Sequence, residues 1–193
     1  MPKAHKGKRS QRGYSRTVLF AYHEAGHAVV GHAIGRCIEE ISILSHQKED
    51  YKGYCRFSSW IESANDQNQW LDEKHNPELL TIFYAGMLAT AFFCAVNDCY
   101  DDYPLRSEQA DLEKVDQLLS YISADEEQRS LVKDVRWKQV QIMLSDNGDA
   151  VDALANELLC QGSITGGEAH RIIRRALREV EDDWRLNAWN MKK

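Results

Sequence analysis

The sequence predicts a mainly α-helical domain with a small β-sheet of two or three short strands. Three observations carry that expectation. Apolar residues recur at helical spacing through most of the 193-residue chain. Only Ile38–Leu44, by its alternation, and Gly53–Phe57 read as strands. A hydrophobic fraction of 43% is ample for one core at this length, so a single domain with short appendages is expected.

The first helix is expected from Ser15 to Gly35. Val18, Leu19, Phe20, Ala21, Ala25, Ala28, Val29, Val30 and Ile34 make it apolar, Ser15 or Thr17 can cap it, and Gly35 can end it. A polar turn, Ser45 to Lys52, separates the two strand candidates, so they read as a pair beside that helix. Residues 62–76 are polar and read as a loop, after which Asn76 caps a helix with Pro77 at its first position. That helix, Pro77 to Val96, is apolar nearly all round and is expected to be central and buried. Residues 97–106 read as a loop. Ser107 then caps Glu108–Ser123, whose apolar face is Ala110, Leu112, Val115, Leu118, Leu119 and Ile122. Glu126–Leu144 follows, with Leu131, Val135, Val140 and Met143 expected inward, then Asp149–Cys160, ended by Gly162. Thr165 and Glu168 form a capping box that opens a last helix carrying Ile172, Ile173, Ala176 and Val180. Residues 181–193 read as a charged tail with Trp184 and Trp189.

Charge is unevenly spread. Lys3, Lys6, Lys8, Arg9, Arg12 and Arg16 stand in the first 16 residues with no acid among them, yet the net charge is −6. The body is therefore acidic, and no nucleic-acid partner is expected. Residues 1–14 are expected to be a disordered basic tail. They lack the apolar core of a secretory leader. No transmembrane segment is expected either, because Thr81, Tyr84, Gly86, Thr90 and Cys94 interrupt Leu79–Val96. Cys37, Cys55, Cys94, Cys99 and Cys160 are odd in number and include no Cys-x-x-Cys pair. Unpaired thiols in a cytoplasmic location are the corresponding expectation.

The chemistry concentrates in His23-Glu24-Ala25-Gly26-His27, a His-Glu-x-x-His motif inside the first helix. Positions four apart share a helix face, so both imidazoles can reach one metal ion, and zinc is the usual occupant. Glu24 follows the first histidine and is placed to act as general base on water. Two histidines and a glutamate in so apolar a helix would be costly without a partner.

A catalytic zinc takes three protein ligands and leaves one position open. His32 lies five residues past His27, roughly 140° further round the helix, and faces away. His46, His75 and His170 read as surface or packing residues. The acids that follow the apolar helix are better candidates for the third ligand, namely Asp98, Asp101, Asp102, Glu108 and Asp111. Asp111 has one local point in its favour, its place beside Ala110 and Leu112 on an amphipathic helix. An ordinary first-turn acid favoured by the helix dipole explains it equally well.

Ala21-Tyr22-His23-Glu24-Ala25-Gly26-His27-Ala28-Val29-Val30 resembles the active-site helix of the FtsH-type ATP-dependent zinc metalloproteases. Ile41-Ser42-Ile43 with Gly53 resembles the strand pair after that helix, and Ala85-Gly86-Met87-Leu88-Ala89 the family's glycine-alanine helix. Ser107-Glu108-Gln109-Ala110-Asp111-Leu112 stands where the family's Asp-Leu supplies the third zinc ligand, and Leu154–Leu159 through Ile164–Glu168 is similar to the closing helices. The resemblance covers residues 15–180 as a peptidase domain. It implies His23, His27 and Asp111 as ligands of one Zn²⁺ per chain and Glu24 as the base. It departs from the family in three ways. No Gly-x-x-x-x-Gly-Lys-Ser/Thr loop for ATP is found, Thr90 stands where the family has an acid, and the family's Thr-Gly-Ala before the aspartate helix is missing.

A stand-alone zinc metalloendopeptidase acting on flexible or unfolded polypeptides is thus expected, with a separate ATPase or a homo-oligomer as possible partners. Gly53, Tyr54 and Cys55 are candidates to hold the substrate by backbone pairing at a strand edge. Two rivals stand beside this reading: a binding or adaptor module that keeps the fold without turnover, and a zinc hydrolase of a non-protein amide.

Overall fold

The computed structural model describes residues 14–44, 53–58, 77–99 and 106–190. These form six helices and three strands in the order α1 (Arg16–Ala33), β1 (Ile38–Ser42), β2 (Tyr54–Phe57), α2 (Glu78–Asn97), α3 (Arg106–Ile122), α4 (Glu126–Asp146), α5 (Gly148–Gln161), β3 (Ser163–Thr165) and α6 (Gly166–Asn190). The mainly helical expectation holds. The basic tail, the turn 45–52, the loop 62–76 with its cap Asn76, His46, His75, Asp101 and Asp102 lie outside the described residues.

The centre of the molecule is the packing of α1 on α2. Leu19, Ala21, Ala25, Ala28 and Val30 are fully buried on α1, as are Leu80 and Ala85 on α2. A Cβ on Gly26 would lie 2.6 Å from the Ala85 carbonyl oxygen and 2.6 Å from the Ala89 Cβ, so this glycine sets how closely the two backbones meet. α5 packs on the other side of α1, while α3 and α4 cover α2. By length and apolarity alone α2 would cross a membrane, but most of its surface is buried against these helices.

The sheet is antiparallel with the order β2-β1-β3. Ile41, fully buried at its centre, pairs with Cys55 on one side and Ile164 on the other. Leu19 and Ile41 thus belong to one core under the sheet. Gly162 ends α5 in the left-handed region, with φ 78°, and its N–H bonds to the Leu158 carbonyl at 2.7 Å. That turn sends the chain directly into β3.

Several boundaries and faces differ from expectation. Ser163–Thr165 is a strand as well as the lead-in to α6, because β1 still has a free edge there. Thr165 caps as foreseen, its Oγ1 accepting from the Glu168 N–H at 3.3 Å. The Glu168 carboxylate, however, accepts from Gln161 rather than closing the box. Ser15 occupies the N-cap of α1 without a side-chain cap bond. α2 starts at Glu78, one residue late, and α3 at Arg106, so Ser107 is inside the first turn rather than before it. On α4, Leu131 and Val135 are 64% and 54% exposed, and the inward stripe is Val140 with Leu144. α6 continues without a break through residue 180 to Asn190.

Candidate metal centre

His23, Glu24 and His27 are all buried on the face of α1 that meets α2 and the start of β2. Asp111 arrives from α3, 88 positions after His23. Its Oδ2 lies 3.0 Å from His23 Nε2 and 3.0 Å from His27 Nε2, and the two nitrogens are themselves 3.0 Å apart. The three ligand atoms therefore form a nearly equilateral triangle. Together they make a group that could hold a metal ion.

The hydrogen bonding fixes which atoms carry lone pairs. His27 Nδ1 is 2.7 Å from the Ile82 carbonyl oxygen. A carbonyl only accepts, so Nδ1 carries the proton, and Nε2 of the neutral ring is a lone pair. That lone pair faces the carboxylate oxygen of Asp111 at 3.0 Å. Two acceptors in contact need a cation between them, either a proton or a metal. Three ligands of this type match the donor set of a catalytic zinc site, whose tetrahedral edges are about 3.3 Å for bonds of about 2.0 Å. The observed triangle fits that edge with a small expansion. His23 Nδ1 has no hydrogen-bond partner among the described residues.

Space for such a group comes from glycines. A Cβ on Gly86 would sit 2.5 Å from His27 Nε2 and 2.8 Å from His23 Cε1, so α2 presents bare backbone to both rings. Thr90 donates to the Gly86 carbonyl at 3.0 Å, one turn along the same helix. Gly53 lies directly against Glu24, where a Cβ would meet Oε1 at 2.5 Å.

Electrostatics follow from burial and from the charge of Asp111. Burial pushes Glu24 up to about 7, opposed in part by His27. Burial, then the neighbouring His27, lowers His23 to about 4. Burial alone would lower His27 too, but the Asp111 carboxylate outweighs it and raises this ring, with Glu24 and the Ile82 carbonyl adding to the effect. Asp111 goes down despite its burial, because His27, His23 and Lys114 surround it. Lys114 Nζ lies 3.2 Å from the other oxygen, Oδ1, and sits over the Phe83 ring at 4.9 Å.

Of the candidate acids, Asp111 joins the histidines. Asp98 stands at the C-cap of α2, and Glu108 is buried one turn before Asp111 without entering the group. The reason Asp111 faces inward is not its neighbours. Ala110 and Leu112 are exposed, and the buried stripe of α3 is Glu108, Asp111, Val115, Leu118 and Leu119. His32 faces away as expected and packs edge-on against His170, with ring centres 4.5 Å apart. Of the strand candidates, Gly53 touches Glu24. Cys55 is pushed up by burial and then by the Glu24 charge, whereas Tyr54 is set by burial and Glu40. β2 is an edge of the sheet among the described residues.

Sequence reasoning did not foresee Gly86 as the cradle, Ile82 as the carbonyl that fixes a tautomer, or Lys114 as the partner of Asp111. A glycine inside an apolar helix is a readable signal of close approach, and Lys114 stands three residues after Asp111 on one face. A backbone carbonyl leaves no trace in sequence. No protein-family model matches the chain, and a search of curated proteins returns no match.

Proposed function

We propose that the protein is a zinc-dependent metalloendopeptidase of the FtsH type acting on flexible or unfolded polypeptides. The observation that carries this reading is the contact of acceptor with acceptor, His27 Nε2 against Asp111 Oδ2 at 3.0 Å, beside a buried glutamate. His23, His27 and Asp111 would hold the ion. Bound there, zinc supplies Lewis acidity for activating water and polarising a carbonyl.

The chain's own residues supply the rest. The Ile82 carbonyl holds the His27 ring with Nε2 toward the site. Lys114 holds Asp111 through Oδ1 and leaves Oδ2 for the ion. Glu24 takes a proton from the attacking water at its carboxylate and returns it to the leaving amide nitrogen. Its raised affinity for protons suits that exchange near neutral pH. Gly53 and Cys55, at the strand edge beside Glu24, would align an extended backbone by main-chain pairing.

Glu24→Gln should retain one zinc per chain and lose roughly a hundred- to ten-thousand-fold in casein hydrolysis, the range of general-base removal. Unchanged hydrolysis would exclude the mechanism. A metal-loaded wild type that cleaves nothing in a peptide library would favour the adaptor reading, motivated by Thr90 in place of the family's acid. Cleavage of small amides alone would favour a non-protein substrate.

A further inference from the structure

We propose that Cys94 and Cys99 form a reversible disulfide that clips the C-terminal end of α2. Their sulfurs lie 2.7 Å apart. That is well inside the contact distance of two non-bonded sulfur atoms, and outside the S–S bond of about 2.05 Å. Two thiolates on one tetrahedral zinc would stand roughly 3.8 Å apart, given Zn–S bonds of about 2.3 Å. The pair is thus placed to bond to each other rather than to share an ion.

The backbone holds them in that relation. Asp98 ends α2 in the left-handed region at φ 54°, unusual for a residue with a side chain, and this turns Cys99 back over the last helical turn. The Cys99 N–H bonds to the Cys94 carbonyl at 3.2 Å. Cys94 is fully buried and Cys99 nearly so, and Cys94 stands one turn beyond Thr90, itself one turn beyond Gly86. A bond here fixes the end of the helix face that cradles the two histidines. It does not depend on a metal or on peptidase activity.

A low-molecular-weight disulfide such as glutathione disulfide is the oxidant. The thiolate of one cysteine attacks it, forming a mixed disulfide and releasing one glutathione thiolate. The second cysteine's thiolate then attacks the protein sulfur of that mixed disulfide and releases the second glutathione. The two protons lost by the cysteines end on the two glutathione thiols.

The full chain carrying Cys37→Ser and Cys160→Ser, which removes the exposed thiols, is incubated with glutathione disulfide, then unfolded in alkylating agent. Cleavage before Asp98 separates the two cysteines unless they are bonded. The expected result is fragments that stay joined and part with dithiothreitol, and an oxidised Tm roughly 5 °C above the reduced one, as for closure of a short loop. Cys94→Ser and Cys99→Ala, added singly, should each abolish both the link and the Tm difference. Fragments that separate, whether alkylated at both sulfurs or carrying glutathione on either, overturn the proposal. So does a Tm difference that survives in both variants.

Discussion

At the scale of single residues, the site is built from atoms that would repel or strand one another in an ordinary core. Glu24 shows this best. Its carboxyl is pushed up to about 7 by burial, above its ordinary 4.5, so it is protonated in both folded and unfolded chains at low pH and ionised in both at high pH. Between those values the unfolded chain gives up its proton first, and the metal-free fold loses stability as pH rises. Relative to Glu24→Gln, metal-free wild type should lose about 2 kcal/mol between pH 5 and pH 8, read by urea unfolding in chelator. Parallel curves for the two proteins would remove the burial argument. Gly86 is the second test. Alanine there meets His27 Nε2 at 2.5 Å, so Gly86→Ala should destabilise by about 1–3 kcal/mol and weaken zinc binding at least about tenfold. Gly148→Ala, at a site with open space around it, is the control and should leave zinc binding unchanged. The histidines and Glu24 were legible in the sequence because their spacing is set by one helix. Asp111 was legible only through the family resemblance, since its partner is 88 positions away and no local period links them.

At the scale of elements, spacing located nearly every helix and misjudged some of their faces. Ala110 and Leu112 look like core beside Asp111, yet on a helix a buried stripe runs through positions three and four apart, and Asp111 shares it with Val115 and Leu118. Leu131 and Val135 were misread for a related reason. α4 has apolar residues on more than one face, and only Val140 and Leu144 are fully in the core, with Trp137 packed edge-on against Tyr84 of α2. β3 was hidden because three residues carry no measurable alternation, and only the open edge of β1 recruits them. α1 meets α2 at close range at Gly26. Gly26→Val would drive a branched side chain into the Ala85 carbonyl and Ala89, so a loss of about 1–3 kcal/mol is expected from chemical denaturation. A neutral result would mean that the helices can separate without penalty.

At the scale of the whole molecule, the three ligands join two helices that contact each other far less than either contacts α2. An ion held there is a link between distant parts of the chain, and its removal should be felt globally. At free zinc about a hundredfold above its dissociation constant, binding to the folded state alone adds about 2.7 kcal/mol, so chelation should lower Tm by roughly 5–10 °C. Asp111→Asn should erase most of that difference. An unchanged Tm after chelation would show that the triangle holds only a proton. The distance of 88 positions between His23 and Asp111 also has a kinetic meaning. The histidine pair forms as soon as α1 coils, whereas the acid arrives only after a long loop has closed and α2 has docked. The complete triangle of His23, His27 and Asp111 is therefore expected late in folding. Metal offered to the nascent chain meets two early histidines and five cysteines, but metal offered afterwards meets one finished triangle of candidate ligands.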